Sequence, residues 1–330
     1  MSQPNVNTVT NEYKFGRGNL FFNPLVEGVY QGFRQLGNCP AFTISVATEK
    51  FEHFNSQGGL AQKDLEIVTK IDRTAQITCD NMNNANIALF ISGVEATVSQ
   101  VATPVTDEEI QAASGRMYQL GALPNNPAGV RGVTAVSLTV DVSGAVAIST
   151  AYVAGTIVSS GTHAYVATTS GTTAGSAPAY PTDGTTVADG SVTWRDIGLI
   201  TPANTNSADY LLDADLGLLS IVSTGSLGTG ADYVTAAGGT FVILVDYTPT
   251  ANSRDQIRSS GTSELTGQVK FISDNPYGAN QDAFFPSATL APSGELPLIT
   301  ENDVASMTLD VGINQLNSTT SAIYIDGRPV

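Results

Sequence analysis

The amino-acid sequence predicts an all-β protein with one flanking α-helix at about residues 80–92 and a small all-β inserted domain. Gly, Ala, Thr, Ser and Val dominate the composition, and charged residues make up only 13% of the chain. Runs with strand-like alternation outnumber runs with helical spacing, and turn residues separate them. The longest alternating run covers Asp64 to Thr78. At 330 residues the chain is long enough to bury a substantial core.

The long run predicts a strand with one polar and one apolar face. Its odd positions are mostly apolar and its even positions mostly polar, which is the period of a β-strand. At Asp80 the period changes, because Met82, Leu89 and Phe90 recur at helical spacing. Asp80 is the predicted N-cap of this helix and Gly93 its stop signal.

Two further segments predict strands of the same one-sided polarity. Alternation from Phe42 predicts a strand that precedes the long one, and Lys50–Gln62 predicts an extended, Gly-containing hairpin tip between them. Near the C-terminus, polar even positions alternate with Leu265, Val269 and Phe271. The sequence thus supplies three strands that each have a polar face and an apolar face.

Composition divides the chain into an arm, a main domain and an insert. Residues 1–19 are polar without periodicity, which is typical of an arm that a neighbouring subunit orders. Between Val133 and Thr182, Asp141 is the only Asp, Glu, Lys or Arg. We therefore predict a discontinuous main domain over 20–132 and 207–330, with a surface-exposed β module over 133–206. A folded module is favoured over a flexible spacer because Tyr165, Tyr180 and Trp194 can form a small core.

Charge and cysteine content limit the function classes. The chain has 14 basic and 30 acidic residues, a formal net charge of -16, which argues against tight nucleic-acid binding. No apolar run approaches the roughly 18 residues of a membrane span, and the N-terminus lacks signal-peptide features, so synthesis in the cytoplasm is expected. Cys39 and Cys79 have no CxxC partner, and buried thiols are favoured over a disulfide or a metal pair.

Residue types that carry chemistry are few. His53 and His163, the only histidines, lie outside any catalytic or metal-binding motif, so surface positions are expected. Asp213 and Asp215 resemble the beginning of a calcium loop whose remaining ligands are missing, which favours a tight turn. No catalytic residue, metal ligand or cofactor is predicted, and the chain is not expected to be an enzyme.

Two further clusters have alternative explanations. Glu108 and its neighbour Glu109 could be a pair of catalytic carboxylates, but they lie at a predicted helix start, where acidic residues are common. Tyr165, Tyr180 and Trp194 could form a platform for sugar stacking, although filling a small core is the favoured role.

The order of these elements resembles that of the major tail tube proteins of long-tailed, non-contractile bacteriophages. The resemblance covers roughly 20–132 and 207–330, and the 133–206 insert lies outside it. It is carried by the KDLEIVT strand that leads into a polar strand and a helix ending at Gly93, and by these C-terminal motifs: Val245–Thr248, Gly267–Phe271, Asn275–Gly278, Phe285–Pro286 and Leu290–Leu298.

The resemblance implies a β-sandwich or barrel fold whose subunits form hexameric rings that stack into a tube. It implies a place in the virion tail after assembly in the host cytoplasm, with double-stranded DNA passing through without specific binding. The implied partners are other copies of the chain, a tape-measure protein, and tail terminator and tail tip proteins, but no membrane. The alternative is another phage virion protein, either a head decoration or an adhesin-like carbohydrate-binding protein.

The resemblance also implies two sets of site residues. The expected lumen-facing residues are Thr43, Ser45, Ala47, Glu49, Asp64, Glu66, Lys70, Asp72, Thr74, Gln76, Thr78, Glu264, Thr266, Gln268 and Lys270. The expected contacts between rings are Phe51, Glu52, His53, Phe54, Asn55, Ser56, Gln57, Gly58, Gly59 and Leu60.

Overall fold

The computed structural model describes residues 12–202, 208–259 and 265–328. It confirms the all-β fold, since strands far outnumber the two helices in the described residues. The chain divides into two compact units. Unit 1 comprises Met1–Thr97 with Asp255–Val330, and unit 2 comprises Val98–Arg254.

The first part of unit 1 contains six strands and one helix: β1 (Gly18–Val26), β2 (Val29–Tyr30), β3 (Arg34–Gln35), β4 (Ala41–Asn55), β5 (Gln62–Cys79), α1 (Asn84–Phe90) and β6 (Gly93–Gln100). The boundary between the units falls inside β6.

The predicted helix is present as α1, but it is shorter than expected. Its N-cap is Asn83, whose side chain accepts from the Asn86 backbone N–H, and Asp80 instead accepts a hydrogen bond from Asn38. Gly93 begins the next strand.

Unit 2 contains twelve strands and one helix: β7 (Val105–Gln111), β8 (Met117–Gln119), β9 (Val133–Val140), β10 (Ala151–Tyr152), β11 (Ile157–Ser160), β12 (His163–Thr169), β13 (Gly171–Thr172), β14 (Thr186–Asp189), β15 (Val192–Leu199), β16 (Tyr210–Asp213), β17 (Leu218–Ile221), α2 (Ser226–Ala236) and β18 (Val242–Pro249). The sequence predicts a glycine-rich connection where α2 lies. The prediction of a helical start at Glu108 is also wrong, because Glu108 and Glu109 belong to β7 and pair with β18.

The return segment of unit 1 adds β19 (Asn252–Ser259), β20 (Leu265–Ser273), β21 (Gln281–Ser293), β22 (Met307–Ile313) and β23 (Tyr324–Gly327). Nine strands form the main sheet, whose order is β2-β1-β20-β21-β22-β5-β4, with β3 beside β1 and β23 beside β21. One face of this sheet packs on the core of unit 1. That core consists of side chains such as Phe22, Ile77, Phe285 and Val311, each almost fully buried.

A disulfide closes the base of the β4–β5 pair. Cys39 lies just before β4, and its sulfur is bonded to that of Cys79, the last residue of β5. The expectation of two buried thiols is therefore wrong. The two segments run antiparallel side by side, so their outer ends meet, although the residues are far apart in sequence. The bond encloses the whole hairpin in one covalent loop.

The predicted domain limits differ from the division in the structure. β9 begins at the predicted insert boundary, yet it pairs along its length with β18, which lies in the predicted main domain. Buried side chains of the predicted insert, including Val166 and Ile197, share one core with Ile243 and Val245. Hydrogen bonding and packing therefore join 133–202 to the rest of unit 2.

The described part of the predicted N-terminal arm is attached to its own chain. Phe15 forms an antiparallel bridge with Tyr277, where its N–H donates to the Tyr277 carbonyl over 2.9 Å. The N–H of Arg17 donates to the Asn275 side chain, and Gly18 already belongs to β1. Residues 1–11 of the predicted arm lie outside the described residues.

Candidate functional site

The face of the main sheet opposite the core is polar. In β5 it carries Thr74, Gln76 and Thr78, which alternate with the core residues Ala75 and Ile77. Pairing places the following side chains on the same face: Thr43 and Ser45 in β4, Thr308 and Asp310 in β22, Thr289 in β21, and Thr266, Gln268 and Lys270 in β20. Most of the residues predicted to line a lumen thus share one sheet face. We call this surface the polar face.

Hydrogen bonds between neighbouring strands connect the polar face. The Gln76 amide donates to Asp310 over 2.9 Å, and the hydroxyl groups of Thr78 and Thr308 are 3.3 Å apart. The Lys270 ammonium lies 6.0 Å from the ring centroid of Phe33, a cation–π contact. Part of the polar face is therefore held by contacts between neighbouring side chains.

The β4–β5 hairpin extends beyond the rest of the sheet. β22 pairs with β5 only between Thr74 and Cys79, whereas β4 accompanies β5 down to Gln62. Every residue from Thr43 to Asp72 is exposed. Both faces of the hairpin are therefore open to solvent over this range, and large apolar side chains occur on both.

A β-bulge at Thr69 exchanges the two faces of the hairpin. Glu49 pairs with Lys70, but the next residue, Lys50, pairs with Val68, so that Thr69 has no opposite residue. Strand alternation continues undisturbed in β4, and paired residues share a face. Beyond the bulge, Glu66 therefore lies on the face opposite to that of Lys70 and Asp72.

This bulge makes one predicted assignment wrong. Asp72, Thr74 and Gln76 lie on the polar face as expected, but Glu66 does not, because the prediction assumed unbroken alternation from Asp64 to Thr78. Asp64 is itself the extra residue of a second bulge and lies beside the exposed His53, with 2.6 Å between its carboxylate and Nδ1. Beyond Glu49 and Lys70, the side of the hairpin continuous with the polar face carries Phe51, Leu65 and Ile67 instead.

The other distal face carries a cluster of four charged residues. The Lys50 and Lys63 ammonium groups both bind Glu66, and Lys63 also donates to Glu52 over 3.0 Å. Together these bonds lower the pKa of Glu66 to about 2, and the bond from Lys50 has a larger effect than the bond from Lys63. The pKa of Lys63 is raised by the same partners. The cluster is balanced internally, with two positive and two negative side chains.

The predicted loop of ring contacts is shorter than the sequence indicated. Phe51, Glu52, His53, Phe54 and Asn55 belong to β4, and only Ser56 to Ala61 form the connection to β5. Pairing continues to the tip, where Phe54 is opposite Lys63 and Asn55 is opposite Gln62. Leu60 at the tip is among the most exposed apolar side chains of the described residues.

The acidic excess expected on the polar face is small. Glu49 pairs with Lys70 over 3.1 Å, which raises the pKa of Lys70, and Asp72 lies near the same ammonium group. Glu66 belongs to the other face, while Asp310 is an acidic residue on the polar face that does not belong to the predicted set. Glu264 lies outside the described residues.

The outer edge of β4 is free in the described residues. β4 ends the order of the main sheet, so its outward N–H and C=O groups have no partner strand there. An edge of this length, on a strand of fifteen residues, is a template for pairing with another chain.

The aromatic residues of unit 2 form a small core, as favoured. Tyr165 and Trp194 are almost fully buried, and Tyr180 donates its hydroxyl hydrogen to Asp189 over 2.8 Å. The rings of Tyr152 and Trp194 meet edge to face, 5.0 Å apart. The rings of Tyr165 and Trp194 therefore have no free face on which a sugar could stack, whereas Tyr180 is partly buried.

The remaining candidates for chemistry hold the fold of unit 2 together. His163 was expected at the surface, but its Nδ1 lies 2.8 Å from the buried Asp196, which also accepts from the Gly184 and Gly198 N–H groups. Asp213 accepts from the Leu216 N–H in a tight turn, as predicted. Glu108 accepts from the Gly121 N–H.

The described residues contain neither a cluster of metal ligands nor a membrane-spanning helix. In 12–202, 208–259 and 265–328, no group of three or more His, Cys, Asp or Glu residues is arranged to hold a metal ion. No helix of the described chain has the length and hydropathy needed to span a membrane.

One protein-family model matches part of the sequence. It is described as "Protein of unknown function UCP028589" and matches residues 13–156, less than half of the chain. The matched range includes β1, the β4–β5 hairpin and α1, and it ends within unit 2. No curated protein matches the sequence.

Proposed function

We propose that this chain is a structural virion protein, the major tail tube subunit of a long-tailed, non-contractile phage. In this proposal its copies form hexameric rings that stack into the conduit for DNA ejection. The observation that carries the proposal is the β4–β5 hairpin, whose residues are exposed from Thr43 to Asp72. A well-paired hairpin with uncovered apolar side chains on both faces requires a binding partner in the assembled state.

The sheet edge supports association into a closed ring. Nine strands pair side by side in unit 1, and the edge strand β4 retains a free row of backbone groups among the described residues. Pairing of such edges between subunits removes the aggregation liability that a long exposed edge creates. A ring of sheets then places the same face of every subunit on the inside.

The polar face supports a conduit for a polyanion. Its side chains are chiefly Thr, Ser and Gln, and its charges are mixed and partly paired. Such a surface offers few unpaired cations to phosphate groups, and the whole chain has a net charge of -16. DNA can therefore pass without being retained.

Electron microscopy of the purified full-length chain at high concentration tests the proposal. We expect rings, or tubes of uniform width, because other copies supply both a strand that pairs with the free edge of β4 and a surface that covers the hairpin. A chain that stays monomeric at millimolar concentration contradicts the proposal. Binding of such a monomer to a carbohydrate array would favour the adhesin-like alternative.

A further inference from the structure

The hairpin carries two separate apolar patches. The proximal patch continues the core side of the sheet and consists of Ile44, Val46, Val68 and Ile71. The distal patch continues the polar side beyond the Thr69 bulge and consists of Phe51, Leu65 and Ile67. The bulge thus places an apolar surface on each face, at different distances from the base.

The area of the two patches suits a protein interface. Each of these side chains is about half exposed, and together they leave an apolar area on the order of 400 Å² in solvent. One partner of a stable interface contributes roughly 800 Å², of which a little over half is apolar. In an array each copy buries one patch against each of two neighbours, so at each contact the patches supply about half of the apolar area that such an interface needs.

Charge points to a second copy as the occupant. The chain is strongly acidic, which disfavours an anionic lipid surface. The charged distal face is already neutralised by the contacts among Lys50, Glu52, Lys63 and Glu66, so it needs no charged partner. What remains is two mainly apolar β surfaces, in which Arg73 lies opposite Val46 and His53 lies opposite Leu65, and each copy provides both.

We propose that the distal patch of one copy packs on the proximal patch of a second copy. The identity of the partner rests on the proposed function, and the pairing of these two patches goes beyond it. In an array, the distal patch of every hairpin packs on the proximal patch of one neighbour. Its own proximal patch is covered by the distal patch of another neighbour.

Paired substitutions in the full-length chain test this contact. Phe51→Asp and Val46→Lys should each weaken self-association at least tenfold, measured by sedimentation, because a charge is buried without a partner. The double variant should regain association, since the carboxylate introduced on one copy then meets the ammonium group introduced on the next. Circular dichroism checks that each variant keeps the fold of the wild type.

Phe54→Asp is the matched control. Phe54 is 51% exposed and Phe51 is 53% exposed, but Phe54 pairs with Lys63 on the charged face. The control should associate like the wild type. Equal loss in both Phe variants, unchanged association of Phe51→Asp, or a double variant that stays dissociated overturns the inference.

Microscopy of the same samples separates the inference from the proposed function. Association that follows the predicted pattern without rings or tubes supports the patch contact and contradicts the tail tube. Tubes that persist in Phe51→Asp contradict the patch contact and support the tail tube. A wild-type chain that does not associate at all contradicts both.

Discussion

Glu66 shows how a residue's environment depends on the register of its strand. Its sequence position places it on the face of Lys70 and Asp72, but the unpaired Thr69 turns it to the opposite face. There it accepts from Lys50 and Lys63. Alternation alone could not reveal this, because a bulge changes the pairing without any distinctive residue type.

The pKa of Glu66 provides a direct check of its place. A carboxyl whose pKa falls to about 2 in the folded state stabilises the fold above its ordinary pKa, and this contribution is lost as the pH falls from about 4.5 to about 2. In Lys50→Met we expect the pKa to rise toward its ordinary value, measured by NMR titration of the side-chain carboxyl. Lys70→Met is the control, since Lys70 binds Glu49 on the other face. Equal effects of both variants would contradict the assigned faces.

The disulfide could not be predicted from the sequence for a different reason. Cys39 and Cys79 are 40 positions apart, and only the antiparallel pairing of β4 and β5 brings them together. Two isolated cysteines in a chain expected in the cytoplasm are usually thiols. The residue types were visible, but their proximity was not.

Breaking the disulfide should destabilise unit 1. Closing a loop of about 40 residues is worth about 4 kcal/mol in the chain-entropy model. Cys39→Ala should therefore lower the free energy of unfolding by about 2–4 kcal/mol in a urea titration. A reductant should produce a similar loss in the wild type and no further loss in the variant. A reductant that destabilises both proteins equally would show that its effect does not come from this bond.

At the scale of elements, the sequence predicted periodicity well and glycine-containing segments poorly. The long strand, the strand before it and the helix near 80–92 are all present. The helix α2 was missed because Gly228 and Gly230 suggested a connection. In the structure a Cβ at Gly228 would lie 2.3 Å from the Val222 carbonyl oxygen, so close packing accounts for the glycine. A glycine needed for close approach and one needed for a turn look alike in sequence.

The Thr69 bulge can be tested as an element that sets the faces of the hairpin. Inserting one Thr between Glu49 and Lys50 gives Thr69 a partner, and regular alternation then exchanges the two distal faces. Self-association in sedimentation should weaken at least tenfold, because charged residues replace the distal patch. Deleting Thr69 is the matched control, since Glu49–Lys70 and Lys50–Val68 pairing then continues without a bulge. Loss of association in the deletion but not in the insertion would contradict the role of the bulge.

At the scale of the whole molecule, composition misplaced the domain boundary. The charge-poor stretch from Val133 suggested an insert, yet β9 within it pairs with β18. The amino-acid composition of a segment reflects how much of the segment is exposed to solvent. A domain boundary depends instead on which strands pair with each other. The all-β class was predictable because it follows from many short segments, but the boundary follows from one long-range pairing.

Removing unit 2 tests whether unit 1 is an independent domain. Thr97 and Asp255 lie side by side, with 3.5 Å between their side-chain oxygens, so a short Gly-Ser linker can replace residues 98–254. We expect this chain to unfold cooperatively on heating and to keep its β-rich circular dichroism spectrum, because the nine-stranded sheet and its core remain whole.

The contrasting variant deletes only residues 133–206, the predicted insert. It removes β9 and buried side chains such as Val166 and Ile197 from the core of unit 2. We expect limited proteolysis to digest the rest of unit 2 in this variant while unit 1 resists, since β18 loses a neighbouring strand and the core loses much of its apolar contact. Protease resistance of residues 98–132 and 207–254 would instead support the boundaries that composition suggested, and rapid digestion of both units would show that unit 1 does not fold without unit 2.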